Sequence, residues 1–187
     1  MRNNYKKIII IIGVLLLIII LNYEIITRNS WSNWHLPLAG KIIVLDAGHG
    51  GPDGGAEGGE LTEKEVSLKI TQMLRDYLQE AGALVVMTRD EDKDLAVEDT
   101  KGLSRRKTQD LKRRAKLVET SEADLFISIH LNAIPSARWR GAQTFYYPKS
   151  EKNKQLAAFI QDSLREQLEN TDRKAKSIGQ IYLLKTV

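Results

Sequence analysis

Cysteine is absent from this chain of 187 residues, and histidine occurs only three times. Without cysteine there is no disulfide framework and no metal site that needs a thiolate ligand. A transition-metal site in this chain therefore has to use imidazole and carboxylate ligands. The candidate imidazoles are those of His35, His49 and His130.

A strong excess of charge is also lacking, because the formal net charge is only +4. This weak basic bias suits an anionic membrane or cell-envelope surface, but it gives no argument for nucleic-acid binding. No nucleic-acid partner is therefore expected. The length predicts a single domain that is large enough to bury a real core.

Long apolar runs are lacking except near the N-terminus, where Arg2, Lys6 and Lys7 precede the apolar residues 8–21. A basic segment followed by a short apolar stretch is typical of a signal sequence. The run is short for a spanning helix of ~20 residues, and no small-residue cleavage site follows it. A cleaved signal and an uncleaved anchor both stay open, and both export the rest of the chain.

We divide the chain into a signal sequence or signal anchor (residues 1–27), a linker (28–40) and one domain (41–187). The domain is expected at the outer face of the cytoplasmic membrane or in the cell wall, with the membrane as a partner only if the segment stays uncleaved. His35 lies in the linker without acidic or glycine neighbours. We interpret it as an ordinary linker histidine.

The domain is organised around residues 41–51, KIIVLDAGHGG. Residues 42–45 are β-branched or aliphatic, which predicts a buried strand that ends at Asp46. His49 then follows among three glycines, where open α/β sheets bind their ligands. The alternative is a plain loop histidine whose glycines only make the turn.

A helix is predicted after this loop, since Thr62 and Glu65 form a capping box and Gly82 can end the helix. Glu63 takes the first helical position. Because Glu65 has the capping role, Glu63 is the carboxylate free to reach outward; its alternative role is to stabilise the helix dipole. Helical spacing predicts a buried face of Val66, Ile70, Met73, Leu74, Tyr77, Leu78 and Ala81.

Residues 125–129 are apolar apart from Ser128, which predicts a central strand covered on both faces. His130 follows its C-terminal end. In a parallel sheet the ends of these two strands lie at the same edge, so His49 and His130 are expected there. A helix that starts after the first strand can bring Glu63 to the same edge.

The remaining patterns predict an α/β fold, with a twisted, mostly parallel or mixed sheet and helices on both faces. Further strands are predicted at residues 84–88, 142–147 and 180–185. Ser104 and Ser150 are the predicted caps of two more helices. The inward residues expected on these helices are Leu111, Ala115 and Val118, then Leu156, Phe159, Ile160, Leu164 and Leu168.

Two histidines and one glutamate form a set with known chemistry. Three protein ligands and an open water position make a catalytic zinc site, and two histidines with a glutamate are one of its standard forms. Zinc lowers the pKa of the bound water and polarises a carbonyl. The spacing is no compact metal motif, so two ordinary histidines near a strand edge remain the alternative.

Three separated stretches, LDAGHGGPDGGA, TEKEVSL and ADLFISIHLNA, resemble the zinc-dependent N-acetylmuramoyl-L-alanine amidases of bacterial cell-wall turnover. The resemblance runs from about residue 41 to the last residue. It implies that His49, Glu63 and His130 bind Zn²⁺ and that the substrate is peptidoglycan, cut between N-acetylmuramic acid and L-alanine. The N-terminus, the linker and the insert at 90–107 are most similar to the sporulation subgroup, which prepares spore cortex for germination.

The resemblance also implies a departure from the family at the C-terminus. The family carries a second glutamate as catalytic base, in a pattern like E-x-G-F that would follow QIYLLKTV. No glutamate here stands in such a context, so no catalytic residue is assigned and the last strand and helix are expected to be missing. We therefore expect an amidase, but one that can be inactive in the form of this chain because the expected catalytic glutamate is missing. The alternatives are a non-catalytic zinc- or peptidoglycan-binding module with an unknown protein partner, or an inactive truncated product.

Overall fold

The computed structural model of the chain describes residues 2–27, 36–131 and 140–186. The N-terminal segment forms one helix, α1 (Arg2–Thr27). Its stretch Tyr5–Tyr23 is long and apolar enough to cross a membrane, by length and composition alone. His35 lies outside the described residues.

The described part of the domain contains seven strands and four helices. The strands are β1 (Ile42–Ala47), β2 (Glu57–Gly58), β3 (Leu61–Thr62), β4 (Leu84–Met87), β5 (Leu125–Ile129), β6 (Phe145–Tyr146) and β7 (Lys176–Ser177). The helices are α2 (Glu63–Glu80), α3 (Leu103–Thr120), α4 (Glu151–Leu168) and α5 (Tyr182–Thr186). This mixture confirms the predicted α/β class.

The central sheet has the strand order β4-β1-β5, and both pairings are parallel. In the register of β1 with β5, Ile43 lies beside Leu125 and Ala47 lies beside Ile129. The carboxyl ends of the two strands therefore meet, as the sequence predicted. Everything that follows β1 and β5 directly is brought to this one edge.

Alternation along β1 separates the two faces of the sheet. Ile43 and Leu45 face the apolar core, in which Leu74 and Leu78 of α2 also pack. Asp46 faces the other side, where it meets Arg114 of α3. The helices α2 and α3 therefore cover opposite faces of the sheet, as predicted. The residues packed around this core are Leu38, Leu74, Leu78, Val85, Met87, Leu125 and Ile127.

The segment just before β1 packs against the domain. The amide of Leu38 donates to the Ala81 carbonyl at 2.9 Å. Leu36 lies so close to Gly82 that a Cβ there would stand 2.5 Å from the Cβ of Leu36. Gly82 also has a φ of 96°, which favours glycine. The turn after α2 therefore holds the chain that leads into β1.

The helix α2 begins as predicted, but its buried face is shifted. Glu65 accepts hydrogen bonds from the amide and the hydroxyl of Thr62, which confirms the capping box. The fully buried residues are Glu63, Ser67 and Thr71, whereas Ile70, Met73 and Tyr77 are exposed. The reason is that the first half of α2 lies against main-chain carbonyls of the loop that carries His49, which need polar partners. The Ser67 hydroxyl donates to one of them, Gly48 O, at 2.9 Å.

Several predicted elements have other bounds or another type in the structure, and three of them matter here. The strand β1 continues through Asp46 to Ala47, because hydrogen bonds satisfy the buried Asp46 carboxylate. Residues 180–185 contribute to the short helix α5 instead of a strand, which shows the ambiguity of short apolar runs. The strand predicted at 142–147 shortens to β6, which pairs with β7 in parallel.

The other two helices also differ in detail from the prediction. Gly102, not Ser104, is the N-cap of α3. Ser150 does cap α4, since its hydroxyl accepts from the Asn153 amide. The apolar residues expected inside are only partly so. Val118 is buried as predicted, but polar Asp110 and Arg114 on α3 and Gln161 on α4 are buried as well, together with Ala157. Leu156, Phe159 and Leu168 are exposed.

Acid is expected to destabilise the fold through Asp46. Burial opposes the ionisation of this carboxyl, but Arg114 and the hydroxyls of Ser128 and Thr88 outweigh burial and lower its pKa. A lowered pKa in the folded state stabilises the fold above the ordinary aspartate pKa of about 3.9, and this is lost as the pH falls through the folded value. The urea midpoint should therefore fall between about pH 5 and 3.

The variant Asp46→Asn should be less stable at neutral pH and should lose less stability in acid. The matched control is Asp162→Asn, which changes an exposed ion pair with Arg165. This account would be contradicted if the urea midpoint of the wild type stayed constant down to pH 3. It would also be contradicted if the midpoint of Asp46→Asn depended on pH as steeply as that of the wild type.

Candidate metal centre

His49 lies in the loop after β1, with a φ of 61° that is unusual for a residue with a side chain. Its Nε2 is 3.2 Å from Oε1 of Glu63. Its Nδ1 is 3.0 Å from Oδ2 of Asp53, four residues along the chain. The ring is therefore held at both nitrogens, and Nε2 is directed toward the start of α2.

Glu63 is the first residue of α2, and its buried side chain reaches away from the helix to the two histidines at the sheet edge, as predicted. Its Oε1 accepts from the Leu131 amide at 2.7 Å and lies 2.9 Å from Nδ1 of His130. Its Oε2 accepts from the Ala56 amide at 2.9 Å. Burial opposes ionisation, but these amides and the two imidazoles outweigh it and lower the pKa of Glu63.

His130 follows β5 and completes the group. Its ring centroid is 5.0 Å from that of His49, with an angle of 78° between the ring planes. The side chain of His130 is 44% exposed, against 15% for His49 and 4% for Glu63. The open side of the group is therefore the His130 side, from which a substrate can approach.

The structure thus brings together the three residues that the sequence singled out. One ligand atom from each of His49, Glu63 and His130 lies within 4.8 Å of the others. Ligands around a tetrahedral zinc ion stand about 3.3–3.6 Å apart, because zinc–nitrogen and zinc–oxygen bonds are about 2.0–2.2 Å long. The 3.2 and 2.9 Å separations from Oε1 of Glu63 are close to this spacing. Two imidazoles and one carboxylate therefore suit a zinc ion.

Two glycines allow these side chains to come close. A Cβ on Gly48 would stand 2.5 Å from Cε1 of His130. A Cβ on Gly55 would stand 2.7 Å from Cδ2 of His49 and 2.8 Å from Cβ of Glu63. The glycines of the loop therefore do more than make a turn, because they leave the space that the group occupies.

Some residues around the group were missed by the sequence analysis. Asp53 binds His49 and also pairs with Lys107 at 3.0 Å, and its spacing of four from His49 was the available signal. Arg89 follows β4 at the same sheet edge, and the sequence analysis gave it no role. Arg114 lies on the buried face of α3, four residues after Asp110, and both side chains are nearly fully buried.

Comparisons with known proteins show the family of this chain. Residues 43–187 match the family described as N-acetylmuramoyl-L-alanine amidase. A germination-specific N-acetylmuramoyl-L-alanine amidase of Bacillus subtilis (strain 168) is 57% identical over 187 residues, which is 100% of this chain and 79% of that protein.

Solved structures show the same fold. The CwlD amidase from Clostridioides difficile, solved in complex with the GerS lipoprotein, matches with a TM-score of 0.75 at 39% identity. That match covers 78% of this chain and 76% of CwlD. The catalytic domain of CwlV from Bacillus (Paenibacillus) polymyxa matches with a TM-score of 0.64 at 28% identity, over 78% and 73% of the two chains.

Proposed function

Because the chain belongs to the N-acetylmuramoyl-L-alanine amidase family, we propose that it hydrolyses peptidoglycan at the amide between N-acetylmuramic acid and L-alanine. We propose zinc as its cofactor, held by His49, Glu63 and His130. The observation that carries the proposal is the convergence of two imidazole nitrogens and one buried carboxylate at the open edge of the sheet.

A bound zinc ion supplies a water of lowered pKa and polarises the carbonyl of the substrate. The protein's own residues prepare the site for this chemistry. Asp53 accepts the Nδ1 proton of His49, which leaves Nε2 unprotonated and free to act as a ligand. The amides of Ala56 and Leu131 keep Glu63 ionised and fixed.

The exposed ring of His130 leaves that side open to a glycan strand. A base that takes the proton of the attacking water, and passes it to the leaving amine, is required by general acid–base chemistry. We assign no such base among the described residues. The assignment of metal ligands does not depend on it.

We propose that the domain acts outside the cytoplasmic membrane, on the peptidoglycan of the spore cortex. The similarity to a germination-specific amidase supports the cortex, and the apolar stretch of α1 supports export. Residues 1–27 would then be the signal sequence or anchor, 28–40 the linker and 41–187 the amidase domain.

The test is to purify the chain, measure its metal content and assay cortex peptidoglycan for newly released L-alanine amino termini. We expect one zinc ion per chain, and cleavage that a chelator removes and added zinc restores. Zinc without cleavage would overturn hydrolysis by this chain and favour one of the two alternatives, a non-catalytic zinc module or an inactive product. A folded chain that binds no zinc would overturn the metal centre itself.

Substituting Asp53 by alanine is expected to weaken zinc binding by about tenfold, because partners of ligating histidines contribute 10–100-fold in affinity. The matched control is Asp92→Ala, since Asp92 also binds the loop, through the Gly51 amide at 2.8 Å, but no histidine. Competition with a chelating dye measures both zinc dissociation constants. Equal constants for the two variants would show that Asp53 does not orient His49.

A further inference from the structure

Two arginines lie almost fully buried beneath the loop that carries His49. Arg89 and Arg114 are each only 1% exposed. Together they bind three successive main-chain carbonyls, those of Ala47, Gly48 and His49. Burying a guanidinium costs free energy unless its N–H groups are paired with acceptors. The burial of two arginines at this loop therefore needs an explanation.

Arg114 fixes the loop from the side of α3. Its Nη1 donates to Asp46 Oδ1 at 2.8 Å and to Ala47 O at 2.7 Å, and its Nη2 donates to His49 O at 2.6 Å. Its Nε binds Asp110, one turn earlier on α3. The carboxylates of Asp46 and Asp110 hold the guanidinium in place. The guanidinium in turn fixes the carbonyl of His49, a residue whose φ lies in the left-handed region.

Arg89 fixes the loop from the side of α2. Its hydrogen bonds go to the hydroxyl of Ser67 and to four main-chain carbonyls, those of Ala47, Gly48, Lys64 and Glu91. Its Nη2 reaches both Gly48 O and Lys64 O at 2.8 Å. Gly48 precedes His49 and Lys64 follows Glu63, so one nitrogen ties the two ligand-bearing segments together.

We propose that Arg89 and Arg114 are positioning residues for the metal centre, which hold His49 at the separation from Glu63 and His130 that zinc requires. The geometry favours a positioning role over a role in stability alone, because the hydrogen bonds of the two arginines end on main-chain carbonyls next to the proposed ligands. A ligand that is already in place loses less conformational entropy when the metal binds. The inference rests on the zinc site of the proposed function.

The test is the zinc dissociation constant of Arg89→Lys and Arg114→Lys, measured by chelator competition at a temperature where circular dichroism shows every metal-free variant folded. Lysine keeps the charge but cannot supply the planar fork of donors. We expect affinity for zinc to fall by about 10–100-fold in each variant, as for other partners of metal ligands.

The matched control is Arg106→Lys on the same helix. Arg106 also binds a carboxylate through two nitrogens, that of Asp94, and donates to carbonyls of residues 97–100. None of these acceptors flanks a proposed ligand. Its zinc affinity should equal that of the wild type, even if its thermal stability falls.

Unchanged zinc affinity in folded Arg89→Lys and Arg114→Lys would overturn the inference and leave the arginines a purely structural role. If either fails to fold, Ser67→Ala decides, because it removes the hydroxyl bond to Gly48 O and should weaken zinc binding to a smaller degree. An unchanged zinc dissociation constant in Ser67→Ala would also overturn the inference. A wild-type chain that binds no zinc would instead overturn the proposed function.

Discussion

Substituting His130 by alanine is expected to abolish stoichiometric zinc binding and, with it, hydrolysis of peptidoglycan. His130 supplies one of three ligands, and its Nδ1 lies 2.9 Å from the carboxylate of Glu63. Loss of zinc removes several kcal/mol of transition-state stabilisation, so at least about 10³-fold of the rate should disappear. Metal analysis of the purified protein and the release of L-alanine amino termini measure the two effects.

The control is the substitution of His35 by alanine, since the chain has only three histidines and this one was interpreted as a linker residue. His35→Ala should keep full zinc occupancy. Because His130 follows β5 and its side chain is 44% exposed, His130→Ala should fold normally, as circular dichroism would show. Full zinc occupancy in His130→Ala would refute the ligand set.

Substituting Gly55 by alanine is expected to weaken zinc binding by about 10²-fold, at the upper end of effects around metal ligands. The new methyl group would stand 2.7 Å from the His49 ring and 2.8 Å from Glu63. It must push one ligand away from the other. The φ of 73° at Gly55 adds a backbone cost of about 1–2 kcal/mol to folding.

Gly59→Ala separates these two effects. Gly59 has a similar φ of 64°, but a Cβ there meets nothing within 4 Å. Both variants should therefore lose similar thermal stability, while only Gly55→Ala loses zinc affinity. Equal zinc dissociation constants in the two variants would mean that the site adapts to the methyl group, contrary to our account.

The apolar face of α2 shows where reasoning from sequence fails. The helical spacing correctly predicted a helix, yet it placed Ile70, Met73 and Tyr77 inside, and they are exposed. Periodicity measures how apolar residues recur, but it contains no information on what the helix packs against. Here the neighbour is a loop of carbonyls, which needs Ser67 and not an apolar side chain.

The sheet edge and the three candidate ligands could be predicted from local sequence patterns. Apolar runs predicted β1 and β5, and parallel pairing then places His49 and His130 together. The capping box placed Glu63 at the first helical turn, beside them. These are local signals, in which each residue's role follows from its neighbours along the chain.

How the ligands are held depends on contacts that form only in the folded chain. Arg89 and Arg114 reach the site through contacts between separate elements, and Arg114 binds Asp46 across 68 positions in the chain. A charged side chain is usually exposed, so a sequence gives no reason to place two arginines in the interior. The reason is the three carbonyls at the end of β1, which need buried donors because the loop turns away from the sheet.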